Sequence, residues 1–343
     1  NVYASLQNLY IAQTSWLSSN NVGELNQESD EKTVITKFQL ENGKIAYQGA
    51  GKASGHILNQ FSMDEYDNHF RIATTRGEVW DQDKKSSNNI YVLDRDLNLV
   101  GSLEDLAPGE KIYSARFMGK KAYLVTFKKV DPLFVLDLSD PANPQVLGKL
   151  KIPGYSDYLH PYDENHLIGI GKDTAEAAED LKQGRQLDFA WYQGVKMALF
   201  DVTDVANPIE MHKIVIGDRG TDSDVLNDHK AFLFDREKNL LILPITLAEF
   251  KGENTEDNQY GEFTFQGAYV YNLTLDKGFV LRGRVTHYDT DEVFKKSGYY
   301  FSGDSAIKRS LYIENVLYTL SDSRLQLNDL ASLEKLKALE FGE

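Results

Sequence analysis

The stretch "HPYDENH", His160 to His166, puts two imidazoles within seven residues. Imidazole titrates near neutrality and ligates metals, so such a pair could serve acid–base or metal chemistry. Asp163, Glu164 and Asn165 between them are turn formers, and a tight turn here moves His166 to the start of a new strand, away from His160. A second set lies in "HYDTDEVFKKSGYYFSGD", residues 287–304. There Asp289, Asp291 and Glu292 supply the oxygen ligands that calcium prefers, which makes calcium the one cofactor to consider. Their spacing matches neither an EF-hand nor a nonapeptide repeat. A third set is basic. Arg116, Lys230, Lys308 and Arg309 give local positive charge in a chain of formal net charge −15, which suits a pocket for an acidic or polar ligand. Cysteine is absent, which removes thiol nucleophiles and thiolate metal sites. There is no GxSxG, HExxH, Walker loop or GxGxxG.

The elements that must position these groups follow from a repeat. "DLSDPANPQV", Asp137 to Val146, is nearly rewritten as "DVTDVANPIE", Asp201 to Glu210. Each decapeptide follows an apolar run and precedes another, which reads as a β-hairpin. Comparable hairpins begin at Val34, Asn88, Gly267 and Ser323, with Gln39, Asp94, Asn272 and Asn328 standing where the decapeptides have Asp137 and Asp201. A short polar side chain there can bond its own backbone two residues on and fix the turn. Each hairpin is preceded by another, so the unit is four strands. It occurs six times, starting near residues 1, 56, 112, 155, 225 and 306. Stripped of insertions, the unit has the length of a propeller blade of about 40–45 residues. One blade cannot bury both its faces, whereas stacked blades can. The sequence therefore predicts an all-β fold, a β-propeller of six four-stranded antiparallel blades forming a single domain over residues 1–343. The terminal "LASLEKLKALEF" has helix-like leucine spacing, at Leu330, Leu333, Leu336 and Leu339, but the repeat predicts a strand.

Aligning the innermost strands places Tyr3, Gln60, Arg116, His160, Lys230 and Arg309 at near-equivalent positions, flanked by Tyr158, Asp228, His229 and Lys308. The candidate ligand-binding set is accordingly Gln60, Arg116, Tyr158, His160, Lys230 and Arg309, lining a polar channel. Long segments at 15–32, 76–88, 172–195 and 246–267 join second to third strands, and 287–305 joins one blade to the next. In a propeller all five fall on one face, and long loops are commonly functional. "DTAEAAEDLKQG", from Asp173, is acidic and is expected to form a short helix. The last segment carries Tyr288, Tyr299, Tyr300 and Phe301.

The acidic balance disfavours a nucleic-acid-backbone binder and docking on anionic lipid. No apolar run approaches the ~18–20 residues a membrane span needs. The chain begins at Asn1 without a signal-peptide pattern, which is expected of a chain excised from a longer precursor. "LNQFSMDEY", "IYSARFMG", "DPLFVLDLSDP", "GYSDYLHPYDENHLIGIG", "DHKAFLF" and "IKRSLYI" resemble a bacterial and archaeal family of secreted proteins with a C-terminal β-propeller distantly related to WD repeats. The resemblance covers essentially the whole chain. It implies export, a propeller fold and a place within a larger propeller protein, and it implies no reaction. Two functions follow as expectations. One is a non-catalytic extracellular binding module whose long loops engage a protein, peptide or glycan. The other is a channel-centred hydrolase or lyase using histidine, carboxylate or metal chemistry.

Overall fold

The computed structural model describes residues 1–17, 30–79, 85–127, 131–176, 190–252, 258–298 and 300–342. These residues form six antiparallel sheets of four strands each, every sheet built from strands consecutive in sequence. The first sheet is β1 (Val2–Ala4), β2 (Asn8–Leu17), β3 (Asp30–Glu41) and β4 (Lys44–Ser54). The second is β5 (Met63–Tyr66), β6 (His69–Arg76), β7 (Ser87–Leu93) and β8 (Leu99–Leu106). The third is β9 (Lys111–Met118), β10 (Lys121–Phe127), β11 (Asp131–Asp137) and β12 (Gln145–Ile152). The fourth is β13 (Tyr155–Pro161), β14 (His166–Glu176), β15 (Ala190–Asp201) and β16 (Ile209–Ile216). The fifth is β17 (Leu233–Asp235), β18 (Leu240–Glu249), β19 (Glu262–Thr274) and β20 (Gly278–Val285). The sixth is β21 (Arg309–Ile313), β22 (Val316–Leu320), β23 (Arg324–Asp329) and β24 (Lys335–Glu340). The expected four-strand unit is thus present six times. Two compact units contain these sheets: Asn1–Ile152 with Asp204–Pro208, and Pro153–Thr203 with Ile209–Glu343.

The second or third strands β7, β10 and β18 are buried along almost their whole length, on both faces, whereas β2 leaves Ile11 and β22 leaves Leu320 exposed. In β7 every residue is buried, and in β11 Leu133, Phe134, Val135 and Leu136 are too. The first unit holds two such interleaved cores. Tyr10, Ile35, Phe70, Ile72 and Tyr91 join the first and second sheets, with the Tyr10 and Phe70 rings stacked at 4.4 Å. Ala73, Ile90, Leu124, Phe134 and Leu136 join the second and third. In the second unit Ile242, Val270, Ile307 and Leu317 do the same for the fifth and sixth.

Fourth strands are different. In all six sheets the pairing of third with fourth strand slips by one residue at an equivalent place, as at Val92/Leu93, Val135/Leu136 and Val270/Tyr271. Such a bulge bends the outer strand and increases its twist. The fourth-strand residue beside the slip is Gly49, Gly101, Gly148, His212, Gly283 or Lys337. Three of these glycines take a turn against them. A Cβ on Gly101 would stand 2.4 Å from Pro141 O, one on Gly148 1.9 Å from Val205 O, and one on Gly283 2.8 Å from Leu333 Cδ1. Pro141 and Val205 are the fifth residues of the two decapeptides. The near-duplication has a steric cause: each decapeptide presents a carbonyl at the spot where the other presents its own. Where His212 replaces glycine, its Nε2 lies 2.8 Å from Leu275 O in the following turn.

Aspartates hold the turns in shape. Asp137 Oδ1 accepts from Ser139 N and Asp201 Oδ1 from Thr203 N, both at 2.8 Å. Asp140 and Asp204 cap Ala142 N and Ala206 N in the same way, each at 3.1 Å. Asp94 caps Asp96 N at 2.9 Å. Gln39 and Asn328 bond differently: Gln39 Oε1 accepts from Gln48 Nε2 at 3.0 Å, and Asn328 Nδ2 donates to Leu333 O at 2.7 Å. The first sheet turns instead through Asn42 and Gly43, both at positive φ, the sixth through Asp329, and the fifth with help from Thr274 Oγ1. Residues 335–340 are strand, as the repeat predicts. The helix-like leucine spacing divides between a turn, where Leu330 and Leu333 join the core, and β24, where Leu336 and Leu339 are exposed.

Polar side chains link sheets within each unit. Glu65 receives hydrogen bonds from Ser5 Oγ (2.5 Å) and Asn8 Nδ2 (2.7 Å). Buried Arg71 pairs with Asp64 and donates to Gly119 O at 2.6 Å. In the second unit Tyr312 donates to Asp235. His287, 2 % exposed, lies between Ser321 Oγ (3.0 Å) and Thr319 Oγ1 (2.9 Å). Burial, followed by the charges of Arg324 and Lys335, pushes its pKa down to about 4.

Four outcomes are expected. Leu136→Ala should lower the denaturant-derived stability by about 2–5 kcal/mol. Gly148→Ala must displace a backbone carbonyl and should cost about 1–3 kcal/mol. Gly49→Ala, at the same bulge position with open space around it, should stay within about 0.5 kcal/mol of wild type. His287 is neutral when folded, so below pH ~6.5 the unfolded chain binds a proton that the folded one refuses. Stability should therefore fall by up to about 3 kcal/mol as pH drops from ~6.5 to 4. Urea titrations across that window should show a shallower fall in His287→Gln.

Candidate functional site

The expected channel residues occur in two groups, one per unit. In the first unit Tyr3, Gln60 and Arg116 line a cavity of about 410 Å³, with the Arg116 guanidinium 4.2 Å from the Phe61 ring centre. Gln60 sits not on a strand but in a single 3₁₀ turn, Gln60–Ser62, that precedes β5.

In the second unit Tyr158 and His160 share β13, and the Tyr158 hydroxyl lies 2.9 Å from His160 Nδ1. The imidazole is surrounded by rings, with Phe232 at 5.0 Å and Phe234 at 5.6 Å. His166 opens β14, and its Nδ1 stands 2.7 Å from Asp163 Oδ1. The "HPYDENH" stretch is accordingly a turn, as its polar residues predict. Lys230 lies in a 3₁₀ turn, His229–Ala231, with its side chain exposed. Arg309 pairs with Asp228, and Lys308 with Asp322 at 2.5 Å. The Lys230 N–H, and after a small opposing desolvation the Arg309 charge, hold the Asp228 carboxyl below its usual range. The positive field expected of Lys308 and Arg309 is thus offset by carboxylates that the strand alignment did not pair with them.

The calcium set does not assemble. Among the described residues no three His, Asp or Glu side chains gather in a way that could hold a metal ion. Asp291 precedes the short helix α1 (Glu292–Lys296), and its carbonyl accepts from Phe294 N at 3.1 Å. Adjacent positions on a helical turn point in different directions, so Asp291 and Glu292 cannot face one ion together. The helix expected from Asp173 to Gly184 falls mostly outside the described residues, as does Tyr299.

A larger cleft, about 810 Å³, lies within the second unit. The connections between its sheets build it, together with strand ends near the second-to-third connections. Its floor is fixed by backbone and hydroxyl bonds. Thr221 Oγ1 exchanges hydrogen bonds with Ala248 N and O, both at 2.9 Å, and Ser223 Oγ donates to Pro244 O at 2.6 Å. Gln266 clamps Ile307 through both its amide atoms, at 2.9 Å each.

Arg219 organises one wall. Its guanidinium lies between Trp191, at 4.8 Å, and Tyr260, at 4.3 Å, a stacking that favours the cation. It also donates to Tyr192 O at 3.0 Å and Tyr260 Oη at 3.1 Å. Lys172 donates to Thr221 O and stands 3.2 Å from Asp222. Opposite, Phe301 is rooted among Tyr288 (5.7 Å), Phe294 (5.1 Å) and Phe263 (5.9 Å). Its neighbour Tyr300 is 90 % exposed at the rim, where Tyr260 is 50 % and Tyr192 41 % exposed. Burial raises Tyr288 to about 12, so its hydroxyl stays protonated.

Strand alignment did not find this cleft. The long segments 172–195, 246–267 and 287–305 supply part of its lining, but nothing in "DRGT" marks Arg219 as a residue stacked on two rings. No helix among the described residues is long and apolar enough to cross a membrane.

Comparison with known proteins agrees with the sheets. The chain is 38 % identical over 314 residues to an uncharacterised protein of Methanocaldococcus jannaschii, covering 92 % of this chain and 41 % of that protein. It is 39 % identical over 311 residues to one of Archaeoglobus fulgidus, covering 91 % and 39 %. The chain thus spans about two fifths of the length of these relatives. Among solved structures, the WD40 domain of Neurospora crassa Pan2 aligns with a TM-score of 0.42 at 7 % identity, over 88 % of this chain and 72 % of that one. A family model described as a β-propeller domain matches residues 1–333. With that match and six four-stranded sheets, the chain belongs to the β-propeller domain family.

Proposed function

We propose that this chain is the extracellular, non-catalytic binding module of an exported protein distantly related to WD-repeat proteins, and that the second-unit cleft is its ligand site. The observation that carries the reading is a wide cleft with exposed tyrosines, of which Tyr260 is held by Arg219 before any ligand arrives. Amphipathic rings fixed at a rim are what recognition surfaces use, since little side-chain freedom is lost on binding. The net charge of −15 makes the ligand a protein, peptide or glycan and not nucleic acid or an anionic membrane.

The absence of cysteine allows a direct test. An environment-sensitive dye on Ser302→Cys, in the cleft lining, should change its emission when envelope extract from the source organism is added. The same dye on Ser139→Cys, in an exposed turn, should not. An unchanged signal at residue 302 would remove the proposal.

A further inference from the structure

Resting on that reading of the cleft, we infer that its ligand is a neutral oligosaccharide. The charges of the cleft mostly satisfy one another. Lys172 lies 3.2 Å from Asp222 and Lys308 2.5 Å from Asp322. Arg219 is stacked between Trp191 and Tyr260, with its outer nitrogens bonded to Tyr192 O and Tyr260 Oη. Arg219 keeps its charge, but the lining sets Lys172, Arg219 and Lys308 against Asp222, Asp224, Asp304 and Asp322, so it has no positive excess to draw in an anion, which disfavours acidic sugars and phosphorylated ligands.

The remaining surface has two characters. Tyr192, Tyr260 and Tyr300 are exposed rings with polar hydroxyls, Tyr260 giving one face to Arg219. Beside them in the lining stand the carboxylates of Asp224 and Asp304. Partial desolvation raises the Asp224 carboxyl although the residue is exposed in the lining. A pyranose ring matches both characters, because one face offers C–H groups to an aromatic plane while its rim offers O–H donors to carboxylates. At about 810 Å³ the cleft falls in the upper part of the range that encloses a drug-sized ligand, which leaves room for more than one sugar ring. A cationic peptide would also meet aromatic rings, but the two ion pairs already occupy two of the cleft's carboxylates.

The test is a glycan array probed with the labelled full chain, beside an array of peptides. Binding should appear on neutral glycans and change less than twofold between 50 and about 500 mM salt, because uncharged contacts are not screened. Tyr300→Ala, at a side chain 90 % exposed, should weaken it at least tenfold without altering thermal unfolding. Tyr260→Phe, which keeps the ring, should retain most of it. Selection of acidic glycans with steep salt dependence would overturn the inference, as would binding that survives Tyr300→Ala. Peptide binding alone, with the dye at residue 302 still responding to extract, would overturn the glycan assignment and leave the cleft reading standing. A silent dye together with blank arrays would remove both.

Discussion

A four-stranded sheet with apolar residues on both faces has no stable existence alone in water. Everything else in this chain depends on supplying each such sheet with a neighbour. Ile90, Leu124 and Leu136 are buried because successive sheets present them to one another, and no single sheet could enclose them. That demand sets the composition of second and third strands and leaves the first and fourth freer to vary. It also explains why 24 strands need so few long-range sequence signals. Each strand pairs with its chain neighbour, so the register is decided locally and the stacking follows.

Stacking apolar faces alone would leave adjacent sheets free to slide. The repeated bulge in the fourth strand and the carbonyl of the adjoining turn remove that freedom. A glycine beside the bulge lets a peptide unit approach to a distance that no side chain would permit, as at Gly101 and Gly148. His212 achieves the same end by a different contact, reaching Leu275 O where glycine would have offered space. Connections at the other strand ends also clamp sheets together, as Gly55 against Thr75 O and Gln266 on Ile307 do. They are available for insertion, and in the second unit they are the segments that build the cleft.

How much of this could be read beforehand depends on whether the signal was local. The four-strand unit, its sixfold occurrence and the aspartate-capped turns were legible, since period-2 patterning and Asx turns are properties of neighbouring residues. The exceptions were legible only with the register in hand. Asn328 and Asp329 are adjacent, and which of them caps the turn depends on a bulge that composition does not announce. The polar axis was legible as a list of residues and not as electrostatics. Arg309 looked like free positive charge until Asp228 was found beside it. The cleft was invisible for the same reason. Trp191, Arg219 and Tyr260 lie in three separate segments, and only folding brings them into a stack.

That stack bears on what kind of site this is. Two nitrogens of the Arg219 guanidinium donate to the protein itself, at Tyr192 O and Tyr260 Oη. Electrostatic catalysis needs the opposite, donors aimed at a position where charge will develop. Arg219 instead stiffens Tyr260 and fixes the backbone at Tyr192, so its effect on a ligand passes through ring placement. Phe301, half-buried among Tyr288 and Phe294, anchors the chain next to Tyr300 at the rim. A wall in which Arg219 positions aromatic side chains favours shape and stacking, and that is the physical ground of the binding role proposed for this cleft.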